Sequence, residues 1–284
     1  MNQNSFDRMA GMAFVLGSML FSGKASAALS LVPDQASQAV FSGERRPVHV
    51  TFQNSDDKMA DVDLRIRLHQ ASSATTVLLG EQPWKKLQVL PGQTVLESAT
   101  VSFPAVKGET RFLIQWVDGA NKVIGKTDVM VYPPDLLKEL KPLCADEPLG
   151  VFDPRNQLKP LLKTVGVETS DLEDAGFEDF HGRLAIMGPF QSKAQMRDGF
   201  ADRIKALAAK GVAVVWIQPP PEKREPLKPS FYTVHEGKAA LVVVQAAQLA
   251  DLVANPQAQL NLIHFTRLAI HPEPLRLPLP ITDH

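Results

Sequence analysis

From Leu31 to Pro133, apolar and polar positions alternate with a period of two. The clearest run sets Val62, Leu64, Ile66 and Leu68 between Asp61, Asp63, Arg65, Arg67 and His69. A strand points successive side chains to opposite faces, so this run puts one face on a core and the other in water. The spacing recurs in Val48, Val50 and Phe52, in Ala99, Val101 and Phe103, in Phe112, Ile114 and Trp116, and in Val129 and Val131. Turn formers separate the runs: Asn54-Ser55-Asp56-Asp57, Pro91-Gly92 and Asp118-Gly119-Ala120-Asn121. Short strands at this spacing, with no helical stretch among them, predict an all-β sandwich over residues 28–134.

After Pro133-Pro134 the pattern changes. Leu136 to Leu143 reads as a short helix within a linker, 135–148, and an α/β unit follows over 149–272. Leu149 to Phe152 is an apolar strand. Asp153-Pro154 then supplies an N-cap and a proline for the first helical position. That helix runs to about Val165, with Pro160 inside it and Gly166 as its stop. Leu184 to Met187 is the next strand, ending at Gly188-Pro189. A helix with Met196, Phe200, Ile204 and Leu207 on one stripe ends at Gly211. The unbroken apolar runs Val212 to Ile217 and Leu241 to Val244 are strands covered on both faces. Asn255-Pro256 opens a last helix, to Ala269, with Leu260, Ile263 and Leu268 facing in. Alternating strands and helices predict a doubly wound parallel sheet with right-handed crossovers. A proline-rich tail, 273–284, closes the chain.

The first 27 residues stand apart. An apolar stretch from Met12 to Phe21 ends in Ser22-Gly23-Lys24 and then Ala25-Ser26-Ala27. The stretch is much shorter than the roughly 20 residues of a spanning helix. Small residues at 25 and 27 suit signal peptidase. Cleavage after Ala27 and export to the periplasm or beyond are therefore expected, with an uncleaved anchor as the alternative. No later segment is long and apolar enough to span a bilayer. The single cysteine, Cys144, agrees with export, since an oxidising compartment favours paired cysteines or almost none. It closes no internal disulfide and reads as a buried or linker thiol.

Net charge and motifs narrow the function classes. The 284 residues carry a net charge of -1, and neither Arg45-Arg46 nor Lys85-Lys86 makes a polyanion-binding stripe. No nucleic-acid partner is expected. The chain holds no phosphate loop, no G-x-G-x-x-G and no Gly-x-Ser-x-Gly elbow, and no cofactor is expected.

The turn and strand Leu90-Pro91-Gly92-Gln93-Thr94-Val95 resembles those of immunoglobulin-like modules of bacteria. Three later stretches carry a second resemblance: Gly182 to Gly188, Ile204 to Val215, and Gly237-Lys238-Ala239-Ala240-Leu241-Val242-Val243-Val244. Together they resemble the class I glutamine amidotransferase-like module of bacterial surface proteins and of non-catalytic β-galactosidase domains, over roughly 149–270. The resemblance implies a flavodoxin-like sheet, and active members carry a Cys nucleophile on a tight turn after a central strand. Here that strand, Val212 to Ile217, runs into Gln218-Pro219-Pro220-Pro221. An amide cannot attack as a thiolate does, and prolines stand where an elbow needs glycines. The resemblance thus implies a non-catalytic module.

Ligands of open parallel sheets bind at the carboxyl ends of the strands. Those ends carry Asp153, Gln191, Gln218 and Gln245, an acid and three amides suited to a neutral polar ligand such as a sugar. Asp153 can equally cap its helix, and the glutamines can be solvated. His235-Glu236 could pair as base and orienter, but no nucleophile partners it. The acidic stretch Glu168 to His181 lacks EF-hand spacing and reads as a solvated connection. His69 reads as exposed, Trp116 as core, and Trp84 as a loop residue able to stack on a sugar. His264 reads as packed or half-exposed. Pro219 to Pro229, with five prolines, reads as a stiff exposed loop. The leading expectation is an exported non-catalytic binding or assembly protein of the bacterial envelope, with an envelope protein or carbohydrate as its partner. A degenerate hydrolase using Asp153 or His235, and a subunit of a larger envelope complex, are the alternatives.

Overall fold

The computed structural model describes residues 29–34, 37–173, 176–196, 198–220, 229–236 and 239–272. The expected leader and the proline-rich tail lie outside the described residues, as do 221–228 of the proline-rich loop.

Eight strands come first: β1 (Leu29–Val32), β2 (Gln38–Phe41), β3 (Gly43–Asn54), β4 (Ala60–Ala71), β5 (Thr76–Val89), β6 (Thr94–Phe103), β7 (Thr110–Val117) and β8 (Val123–Tyr132). They form a three-stranded sheet, β1-β3-β6, and a five-stranded sheet, β2-β8-β7-β4-β5. Val48, Val50 and Phe52 from the first meet Ile66, Phe112, Ile114 and Trp116 from the second in one buried cluster. The buried Trp116 indole N–H donates to Thr127 Oγ1 at 2.9 Å, so its burial leaves no polar atom unmet.

A 3-10 turn, Leu136–Leu140, and the single turn α1 (Lys141–Cys144) lead onward. There follow β9 (Leu149–Phe152), α2 (Leu158–Thr164), β10 (Thr169–Asp171), β11 (Leu184–Met187), α3 (Phe200–Ala209), β12 (Ala213–Gln218), β13 (Phe231–Glu236), β14 (Ala239–Gln245) and α4 (Pro256–Ile270). Their sheet has the order β10-β9-β11-β12-β14-β13. Its strands are parallel except β13, which runs antiparallel to β14. Ile186, Val215, Ile217, Val242 and Val244 point to the face that carries α2 and α4. Ala185, Met187, Val214, Leu241 and Val243 point to the face covered by α3 and the aromatic residues Phe177, Phe180, Phe190 and Phe200. Burial on both faces is why these strands are unbroken apolar runs.

The expected pairing of an all-β immunoglobulin-like sandwich with a flavodoxin-like doubly wound parallel sheet is corrected by this topology. The described residues form a mixed α/β structure of three sheets. In the β-rich part, β2 lies parallel to β8, with Gln38 opposite Val129 and Phe41 opposite Tyr132. In the other part the sheet is mixed, because β13 closes its edge antiparallel. The two parts also share a core. Phe41 and Tyr132 cluster with Leu136, Leu137, Leu140, Leu262, Phe265 and Ala269. Val40, Val129 and Val131, on the other face of the same strand pair, belong to the sandwich cluster.

Two edge strands, β5 and β13, are hidden in the sequence. β5 contains Gly80 and Pro83, two residues that strand interiors disfavour. It lies at a sheet edge, and its register skips Leu79 and Trp84 as bulges. An edge strand has one ladder to satisfy, so a proline and two bulges are tolerated there. The bulge at Trp84 turns its ring onto Phe52 and Trp116, at centroid distances of 6.0 and 4.9 Å. Trp84 is therefore a packing residue and not a loop platform for a sugar. β13 is likewise an edge strand, with Phe231 and Tyr232 exposed. The last helix faces in as expected through Ile263, which is buried, and through Leu260 and Leu268, which are half-buried against the same cluster; Leu262, Phe265 and Ala269 are buried as well, because α4 packs on the sheet and on β2 together.

Phe41 is buried at the shared core, so Phe41→Ala is expected to lower the unfolding free energy by about 3–5 kcal/mol. Urea unfolding followed by tryptophan fluorescence and by far-UV circular dichroism checks this, and both signals are expected to move together. Tyr132, beside Phe41, has its phenol pushed up from its usual value near 10 by burial and by Glu109. A raised folded value keeps its contribution intact below pH 10 and loses it as pH climbs through that value. Tyr132→Phe is expected to flatten this alkaline loss in urea midpoints measured between pH 9 and 11.

Candidate functional site

At the carboxyl ends of β9, β11, β12 and β14 the chain opens a cleft of about 870 Å³. Residues 155–157 and the exposed side of α2 follow β9, residues 189–191 follow β11, Pro220 follows β12, and residues 245–253 follow β14. Gly188 lets the chain enter this wall. Its φ is +105°, and a Cβ there would stand 2.9 Å from the Ile217 carbonyl oxygen. The lining is mostly aliphatic, with Pro160, Leu161, Ala246, Leu249 and Leu252. Gln191, Gln245, Asn156 and Gln157 add amides, and Arg155 and Asp251 add charge. The volume falls in the range of small-molecule sites.

Of the four residues expected at the strand ends, the structure brings two into the cleft. Gln191 is exposed there, and Gln245 is half-buried. Gln218 lies opposite Gln245 in register but does not line the cleft. Asp153 is only 2% exposed and serves the backbone. Its Oδ2 accepts the amide N–H of Leu158 at 2.6 Å and of Lys159 at 2.9 Å, capping a helix that starts at Leu158 and not at Pro154. Pro160 then sits in the first turn, where no amide N–H is required. The Asp153 backbone N–H donates to Glu173 Oε1 at 3.2 Å. Asp153 Oδ1 is buried and has no hydrogen-bond partner.

The acidic stretch after β9 is tied down by one cation. Lys159 Nζ lies 2.7 Å from Asp171 Oδ2 and 2.8 Å from Glu173 Oε1. Partial burial pulls the ammonium down, but the two carboxylates outweigh it and raise its pKa above the usual lysine value. Among the described residues, no group of three or more His, Cys, Asp or Glu is placed to hold a metal ion. His235 is exposed on β13 opposite Ala240, near the amino end of β14 and so at the far end of the sheet from the cleft. It cannot act there with Asp153. His69 is half-buried, and its Nδ1 is buried without a partner; His264 is exposed. Cys144 is buried, and that burial raises its thiol above the usual range, against a lowering by Arg183.

Neither Arg155 nor the aliphatic lining between Ala246 and Val253 was legible as part of a site before the fold was known. Two lining residues did carry a signal. Asn156 and Asp251 adopt left-handed backbone, with φ of 50° and 56°. Asn and Asp are the non-glycine types that tolerate this region best.

No protein-family model matches the chain, and no curated protein matches it. Among solved structures it is similar to the sporulation control protein Spo0M of Bacillus subtilis, at 13% identity over 42% of this chain and 56% of that one, with a TM-score of 0.29. A β-glucosidase of Listeria innocua in complex with gluconolactone matches at 14% identity over 37% of this chain and 16% of that one, with a TM-score of 0.26. A Niemann-Pick type C2 protein of the Japanese carpenter ant matches at 11% identity over 39% of this chain and 96% of that one, with a TM-score of 0.29. The chain thus spans about half of Spo0M and a sixth of the glucosidase. Likeness at this level carries no argument, and it does not point to an amidotransferase-like or immunoglobulin-like domain.

Replacing Asp153 with Ala removes the acceptor for two amides and is expected to cost about 1–2 kcal/mol in urea unfolding. Asp153→Asn, which keeps one oxygen, is expected to lose less. Cys144 is expected to react with Ellman's reagent at pH 8 in urea and to stay unlabelled in the native protein.

Proposed function

We propose that this chain is an exported, non-catalytic binding protein of the bacterial envelope, and that the strand-end cleft is where it binds. The observation that carries this reading is the chemistry of the lining. Aliphatic side chains and amides make contact area and hydrogen bonds, and neither donates nor accepts a proton near neutral pH; the one carboxylate of the lining, Asp251, accepts the Ala254 N–H in its own turn and has no histidine or second acid beside it in the lining. The lining favours an apolar ligand over a sugar: Phe190 is only 1% exposed, and both Trp84 and Trp116 pack in the sandwich. The hydrolase alternative has Asp153 turned inward and His235 at the opposite end of the sheet.

Nile red, a neutral dye that brightens in apolar surroundings, tests the cleft. The full chain is expected to enhance its fluorescence, and Ala247→Trp, at an exposed lining position, is expected to abolish the enhancement at an unchanged urea midpoint. An enhancement that survives the substitution would place the apolar site elsewhere. Export is tested by the mass of the chain recovered from the periplasm, expected to begin at Ala28; full-length chain held in the membrane would select the uncleaved anchor.

One observation favours the reading as a subunit of a larger complex. On the edge strand β5, Val77, Leu78 and Leu79 are 57%, 53% and 45% exposed. An exposed apolar edge strand is a template for pairing with another strand. If it is used, Leu78→Lys is expected to dissociate the assembly in size-exclusion chromatography at matched concentration.

A further inference from the structure

We infer that the cleft takes an anionic amphiphile, with its acid head at Arg155 and its apolar chain along Leu161, Leu249 and Leu252. This inference rests on the cleft being a binding site. Its own basis is the charge that the cleft leaves unmet. Arg65, Arg67, Arg111 and Arg267 each face a carboxylate within 2.8 Å. Arg155 is exposed on the cleft, and no carboxylate among the described residues pairs with it. The acid of the lining, Asp251, is engaged by its own turn, accepting the Ala254 N–H at 3.2 Å. That bond leaves Asp251 its charge, so the lining carries one group of each sign, and Arg155 is the one whose polar atoms meet no partner among the described residues. A guanidinium fork matches the two oxygens of a carboxylate or phosphate. An aliphatic surface beside it suits a hydrocarbon chain, which needs burial and no hydrogen bonds. A free long-chain acid and the head of an anionic lipid share this chemistry.

Isothermal titration of the full chain with decanoate, octanoate and decanol tests the assignment. Decanoate is expected to bind, and octanoate roughly tenfold more weakly, because two fewer methylenes are buried. Decanol, with the same chain and no charge, is expected to bind at least tenfold more weakly than decanoate. Arg155→Ala should bring decanoate down to the level of decanol and leave decanol unchanged. Arg267→Ala, outside the cleft, should alter neither. Equal binding of decanoate and decanol, or an Arg155→Ala variant that binds decanoate like the parent, overturns the inference. If Ala247→Trp still abolishes Nile red binding in that case, the cleft stands and only its ligand class falls. If neither the dye nor any of the three chains binds, both readings fall. Flotation with anionic phospholipid vesicles separates the sources. Co-flotation lost in Arg155→Ala identifies the lipid head, and decanoate binding without flotation identifies the free acid.

Discussion

The parallel pairing of β2 with β8 is the contact on which the rest of the molecule depends. Four residues of β2 lie beside the end of β8, and successive side chains along this pair face opposite ways. Val40, Val129 and Val131 complete the sandwich core. Ala39, Phe41, Met130 and Tyr132 face α4 and the leucines at 136, 137 and 140. A strand pair covered on both faces has no room to slide, since a one-residue slip would exchange every core side chain for its neighbour. The hydrogen bond from the Ser42 N–H to the Tyr132 carbonyl, at 2.8 Å, pins the register at the end of the pair. The exposed Arg267–Glu139 pair lies along the same boundary, but surface ion pairs contribute little beside such burial.

That anchoring fixes α4, and α4 fixes one side of the cleft. The helix begins at Asn255, whose side chain accepts the Gln257 N–H at 3.0 Å, with Pro256 in the first turn. Two buried or half-buried amides then hold the preceding segment to it. Gln259 Nε2 donates to the Leu252 carbonyl at 2.8 Å, and Asn261 Nδ2 donates to the Gln248 carbonyl at 2.9 Å. The aliphatic stretch 246–253 is thereby held against the helix and presents Ala246, Ala247 and Val253 outward. On the other side, Asp153 fixes the start of α2 and so the position of Leu161. The acid expected to meet a ligand thus builds the wall that meets it.

Legibility differed from element to element for physical reasons. β4, β7 and the runs Val212 to Ile217 and Leu241 to Val244 were readable because each is buried on one face or both, and burial imposes a pattern. β5 and β13 were not, because an edge strand is held mainly by backbone hydrogen bonds, which any sequence supplies. At β5, Trp84 read as a loop residue, and Gly80 and Pro83 are types that strand interiors disfavour. The parallel course of β2 was equally hidden, since four residues carry no mark of direction. The capping role of Asp153 was visible in its residue type, but the five-residue reach to Leu158 was not. Arg155 was invisible as a site residue, because an arginine is marked as unpaired only by what lies around it.

Taken alone, the sequence determined where apolar surface had to be buried, and hence which segments could be strands and which helices. It also determined that the strand after residue 212 ends in an amide and prolines, with no nucleophile. Tertiary structure decided the rest: which edges are closed antiparallel, that a single strand pair serves two cores, and that Gln191 and Gln245 reach the cleft while Asp153 and Gln218 do not. The reason is that burial pattern is a local property written into spacing along the chain. Strand direction, the aim of a side chain and the pairing of a charge are set by neighbours that lie close in space and far apart in sequence.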